Sequence, residues 1–348
     1  MVQGATDGVF AAFREHALVG LSDRHNLAQE GALYVSIIRD PRFAREVGNL
    51  VVEFGGASQQ GVIDRYVSGE SIPYAELRQV WTEVVGWSPG EIGQMYLNLF
   101  ATVRAVNAEL PSRERIRVWL GEPKVDWAQI KTRDDLEPYI WQRDEHAAAL
   151  IDREILAQHK KALIIYGPGH FFSAPPRPAS LGHLIKRDHP GSLFILATYA
   201  GYADPSCVAR LEAKMKTWTA PVVASPIAGT WLDAALRDCA DRVQFPPPVL
   251  GAPALSPERL ARREAIMAKA RLEASGALAD AFLYLGPSAS LTRTPYEQAL
   301  YLDESYLREA TRRRSIVSGV DVAAPIDALR ANTASQVPYV QPGSARTR

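Results

Sequence analysis

The chain reads as an α/β protein with a mostly parallel central sheet, helices on both faces and a helical insertion. Three observations predict this. Short apolar runs end abruptly in small or charged residues, segments of helical period lie between them, and one crossover is far longer than a single helix requires.

The runs are Ala17–Leu21, Leu50–Phe54, Ile116–Leu120, Ala162–Tyr166, Leu193–Thr198, Val222–Ala224 and Ala281–Leu285. Most are continuous rather than alternating, which marks strands covered on both faces by helices. Ile92, Met95, Leu99, Val103 and Val106 fall on one helical stripe, behind a capping-box signature at Ser88-Pro89-Gly90-Glu91. Ala147, Leu150, Ile151 and Ile155 form a second stripe that leads into the strand at Ala162. The β-α-β-α alternation predicts parallel pairing. Between the second and third strands, about 58–111, several helices form an insertion able to roof a site. Residues 1–331 read as one α/β domain. Ala174–Pro178 and Pro246–Pro257 read as extended Pro-rich loops, and 332–348, rich in Ser, Thr, Pro and Gly, as a disordered tail.

Charge and composition narrow the function. The 39 basic and 39 acidic residues cancel, so no cation surplus exists to neutralise nucleic-acid phosphates. Arg312-Arg313-Arg314 sits at the end of a predicted helix, where a solvated cluster complements the dipole. Cys207 and Cys239 lack a CxxC spacing and fall in predicted helices, so buried thiols are expected rather than a zinc site or disulfide framework. Met1 to Phe13 shows neither a basic n-region nor an apolar h-region. No run approaches the roughly 18–20 apolar residues of a membrane helix. A cytoplasmic protein without a nucleic-acid or membrane partner is expected, its oligomeric state unreadable.

In open parallel sheets, ligands bind past the carboxyl ends of the strands. The first strand is followed by Ser22-Asp23-Arg24-His25-Asn26, the second ends in Glu53, the third runs into Glu122, and the fourth into Gly167-Pro168-Gly169-His170. Two histidines and several carboxylates therefore converge on one rim. Glu53 interrupts an apolar run, and burying it there costs several kcal/mol unless a partner such as His25, His170 or Arg143 pairs with it. Asp23 also reads as a cap for the helix starting near Leu27. His16, His146, His159, His183 and His189 lie in ordinary helical or loop contexts. No G-x-S-x-G elbow, P-loop or G-x-G-x-x-G follows a strand, which disfavours serine hydrolases and nucleotide binders.

The order of these motifs resembles the superfamily of erythromycin esterase-like, ChaN-like haem-binding and TIKI/TraB proteins. Its GE-x-H type motif corresponds to Gly20-Leu21-Ser22-Asp23-Arg24-His25, its strand-ending glutamate to Glu53, and its G-x-G-H type motif to Gly167–His170. Arg143-Asp144-Glu145-His146-Ala147, placed at the start of the helix before the fourth strand, is similar to a further R-D-x-x-x-A stretch, and Asp280–Leu285 to a late strand. The family glutamate appears here as the shorter Asp23, and the neighbouring glycine as Ser22.

The resemblance implies a hydrolase acting on an ester, lactone or amide of a small molecule or peptide. His25 is then the general base on water, with Glu53 holding its imidazole, while His170 orients water or stabilises the oxyanion. Arg143 binds a carboxylate or the developing charge. Asp23, Arg24, Glu122 and Asp144 are the candidate substrate contacts. A divalent ion (Zn, Mn or Co) on His25, Glu53 and His170 is the second version. Haem on Tyr166, Tyr199 or His170 is a third, and elimination or cyclisation with the same base a fourth.

Overall fold

The computed structural model describes residues 1–85, 92–172, 179–202, 204–240 and 279–318. Its strands are β1 (Val2–Gly4), β2 (Leu18–Ser22), β3 (Asn49–Gly56), β4 (Arg117–Glu122), β5 (Ala162–Tyr166), β6 (Leu193–Thr198), β7 (Val222–Ala224) and β8 (Ala281–Tyr284). They form one mixed sheet in the order β1-β7-β8-β6-β2-β5-β3-β4. The five strands from β6 to β4 are mutually parallel, and β8 continues parallel to β6. Only β7 runs against β8, and β1 against β7. All seven apolar runs are strands. The eighth, β1, carries no such signal, being three residues long and exposed at both ends.

Alternate residues of each strand face two helical layers. Val19, Leu21, Leu50, Val52, Leu163 and Ile165 point to one core, shared with α1 (Ala5–Glu15), α2 (Ala28–Arg39) and the insertion helices. Leu18, Val51, Ala162 and Ile164 point to the other, against α7 (Arg133–Ile151), the short α8 (Gly169–Phe172) and α9 (Leu181–Asp188). The central strands thus lack a polar face, which is why their sequences read as unbroken apolar runs. Both predicted stripes are helical faces, except that Ile92 precedes its helix. Met95, Leu99 and Val103 are buried on α6 (Gln94–Ala108), and Ala147, Leu150 and Ile151 on α7.

The crossover from β3 to β4 carries α3 (Gln60–Val67), α4 (Tyr74–Leu77), α5 (Gln79–Thr82) and α6. Arg313 and Arg314, on α12 (Glu304–Ser318), are buried rather than solvated. Arg313 bonds Glu83, Glu309 and the Thr82 carbonyl and lies over the Trp127 ring, while Arg312 bonds Glu309 and the carbonyls of Trp127 and Ile130. The basic run is a clamp on the insertion and not a dipole ornament. The capping box at Ser88, both Pro-rich loops and the tail lie outside the described residues. A capping box does exist elsewhere: Thr132 and Asp135 close the N-terminus of α7. Arg143 therefore sits deep in that helix, not at its start.

The two cysteines also correct the sequence reading. Cys207, on α10 (Pro205–Met215), and Cys239, on α11 (Trp231–Ala240), form a disulfide with Cα atoms 5.6 Å apart. They pack with Leu211, Met215, Val222 and Leu232 on one face of the sheet, so fold proximity, not a local motif, brings them together. The bond closes a loop across a separation of 32 residues. Removing it should lower stability by about 3–4 kcal/mol through released chain entropy. A guanidinium midpoint unchanged by reductant would contradict it.

Candidate active site

Strand register sets the site. Ser22 lies opposite Tyr166, and Val52 opposite Ile165. The residues just beyond, Asp23, Glu53 and Gly167, consequently fall within one residue of the same level of the sheet edge, and Asp23 N–H donates to the Tyr166 carbonyl at 2.8 Å. Asp23 follows Leu21 in facing the α2–α6 layer, while Glu53 follows Val51 in facing the α7 layer.

On the first face, Asp23 is 1% exposed and accepts three side-chain hydrogen bonds. Tyr34 on α2 donates to Oδ1 at 2.6 Å, Tyr96 on α6 donates to Oδ2 at 2.6 Å, and His25 Nδ1 meets Oδ2 at 2.6 Å. Asp23 does not cap α2, whose N-cap is Leu27 without a side-chain bond. Burial first, and then the Asp23 charge, push both tyrosine hydroxyls well above their ordinary pKa, so they act as neutral donors. Arg24 is anchored alongside. Its N–H donates to buried Glu30, and its Nε to the Thr198 carbonyl.

On the other face, Arg143 joins two carboxylates. Nη2 donates to Glu53 Oε1 at 2.6 Å and Nε to Glu122 Oε1 at 2.6 Å. His170 Nε2 lies 3.2 Å from Glu53 Oε1, and its Nδ1 2.6 Å from Asp144 Oδ1. Gly167 N–H donates to Glu53 Oε2 at 2.6 Å. Burial opposes ionisation of Glu53, but His170, His25 and Arg143 together hold its pKa well below the usual carboxylate range. Burial likewise opposes charging of His170, yet Glu53 and Asp144 prevail and raise it to about 9. Glu122 goes the other way, because burial outweighs the attraction of Arg143 and its pKa rises.

His25 joins the two halves. Its Nε2 is 4.0 Å from Glu53 Oε2, and its side chain is 41% exposed among neighbours that are nearly all buried. Burial lowers its pKa, while Glu53 and Asp23 raise it by more, so the net shift is upward. The ring lies against bare backbone: a Cβ on Gly167 would come 2.8 Å from both Cε1 and Nε2 of His25. That floor explains why glycine precedes Pro168 here.

The structure brings His25, Glu53, His170, Arg143, Asp23, Glu122 and Asp144 into one continuous network, with Arg24 at its margin. The carboxylate on His25 Nδ1 is Asp23, whereas Glu53 was expected to hold that ring. The sequence reading missed Tyr34, Tyr96, Glu30 and Thr198. The tyrosines sit on buried helical faces and read as core, and only their hydroxyls mark them out.

The residues fit a metal poorly. Among the described residues, no group of three or more His, Cys, Asp or Glu is placed to hold an ion. The His25, Glu53 and His170 donors face one another beside the Arg143 cation, which repels a second positive charge. Tyr166 and Tyr199 are buried, and the Tyr199 hydroxyl donates to Glu212, so neither presents oxygen to a haem.

No family model matches the chain, and no curated protein does. Among solved structures it is similar to the type III effector HopBA1, at 20% identity over 57% of this chain and 86% of that one, TM-score 0.36. ChaN of Campylobacter jejuni, described with cofacial haem binding, shares 11% identity over 57% and 87%, TM-score 0.36. The C-terminal region of Pasteurella multocida toxin, described with a thiol-protease-like catalytic triad, shares 8% over 56% and 24%, TM-score 0.37. Among the described residues, no helix is long and apolar enough to cross a membrane.

Proposed function

We propose that the chain is a hydrolase of the erythromycin esterase-like kind, in which His25 removes a proton from water that attacks an ester, lactone or amide carbonyl. His25 then returns that proton to the departing alkoxide or amine as the acyl C–O or C–N bond breaks. One observation carries this reading: the 4.0 Å between His25 Nε2 and Glu53 Oε2. That gap is too long for a direct hydrogen bond, yet an oxygen atom placed beside it would lie about 2.8 Å from both. Water there donates one proton toward His25 and the other toward Glu53. Asp23 fixes the ring so that Nε2 is the accepting nitrogen and stabilises the imidazolium that forms.

Both His170 nitrogens face carboxylates, so in this reading His170 and Arg143 position Glu53 rather than touch water. Their two positive charges also favour the negative oxygen that develops on the carbonyl. Asp23 and Glu122 spend both carboxylate oxygens inside the protein, which leaves Arg24 and Asp144 as the candidate substrate contacts. Proton transfer needs no resident metal.

The test is a panel of chromogenic esters, lactones and amides with wild type and His25→Ala. The variant should lose about 10²–10⁴-fold in kcat/KM, and wild type should keep its rate in excess chelator. The pH profile should be bell-shaped. It rises as His25 loses its proton, above the ordinary histidine value, and falls as His170 does so near 9. Full activity in His25→Ala, or loss of wild-type activity to chelator, would overturn the assignment.

A further inference from the structure

The guanidinium of Arg24 is held in an unusual way. Its Nε donates to the Thr198 carbonyl at 3.0 Å, and the Thr198 hydroxyl donates to buried Glu30 at 2.7 Å. Glu30 also accepts the Arg24 backbone N–H at 2.7 Å. The root and one edge of the side chain are therefore fixed between the ends of β2 and β6. Yet no carboxylate pairs with this guanidinium among the described residues, whereas Arg42, Arg65, Arg143 and Arg313 each bind at least one. Glu30 does not neutralise it well either, because burial first and Asp23 second push that carboxyl well above its ordinary pKa.

An anchored cation whose outer nitrogens meet no carboxylate, one residue before the half-buried imidazole of His25, is a receptor for an oxyanion.

We propose that Arg24 forms an oxyanion subsite at the rim next to His25, so that the substrate carries a carboxylate or phosphate near the bond that breaks. This rests on the hydrolase reading and names its substrate class. It also gives a reason for arginine between Asp23 and His25, where either neighbour already serves the base.

The experiment follows the His25 Hε1 resonance against pH, alone, with inorganic phosphate and with acetate. A bound anion stabilises the imidazolium and raises the midpoint; a response to phosphate only or acetate only names the group. Arg24→Gln should weaken binding at least about tenfold, as expected for a lost charge-assisted hydrogen bond. Arg24→Lys should recover part of it. No midpoint change with either anion, or equal affinity in Arg24→Gln, overturns the subsite. Anion binding in a protein inactive on every ester, lactone and amide would instead sink the hydrolase reading and leave the subsite standing.

Discussion

Asp23→Asn is expected to fold and yet to lose about 10²–10⁴-fold in kcat/KM. The amide is nearly the same size as the carboxylate, and the Tyr34 hydroxyl can turn to accept from its NH2 group. What disappears is the negative charge 2.6 Å from His25 Nδ1. Asp23 is one of the two groups that raise the His25 pKa against its burial. Without it the ring is a weaker base and its cation is less stable. The His25 midpoint should therefore fall together with the rate, while the melting temperature moves little. A variant with wild-type turnover would remove Asp23 from the proton-transfer unit.

Arg143→Met should cost more stability than any other single change at the site, about 3–5 kcal/mol near neutral pH. Methionine fills most of the aliphatic volume, so the loss is electrostatic: two buried carboxylates, Glu53 and Glu122, give up their shared cation. The pH dependence has a definite sign. In wild type the folded pKa of Glu53 is depressed, so its contribution is present above the unfolded value near 4.5 and lost on acidification through the folded one. In the variant Glu122, whose pKa burial already raises against the pull of Arg143, loses that pull, and stability is regained as pH falls. The gap between the two proteins should narrow from pH 7 to pH 5. Urea titrations at both values measure it, and a difference below about 1 kcal/mol at pH 7 would mean that His170 alone balances Glu53.

Much of the sheet could be read directly from the chain, because strands buried on two faces need unbroken apolar runs with polar residues at their ends. The same rule placed His25, Glu53 and His170 at one rim. It could not say which carboxylate holds which imidazole, since that depends on the face each side chain takes, and a one-residue step between Ser22 and Asp23 decides it. Tyr34 and Tyr96 were invisible as polar groups, because a tyrosine on an apolar stripe looks like core until its hydroxyl finds a partner. The Cys207–Cys239 bond and the buried Arg313 share a different obstacle: their partners come from elements distant in sequence, which periodicity does not relate.

The base and the acid that faces it belong to opposite sides of the sheet. Asp23, and through it His25, is fastened to α2 and α6, whereas Glu53 and His170 are fastened to α7. The opening between them is accordingly a measure of how two helical floors are stacked. Repacking either floor, many residues from any titrating group, retunes the proton donor-to-acceptor spacing, so the chemistry of this protein is adjustable from its oil-filled interior as well as from its rim.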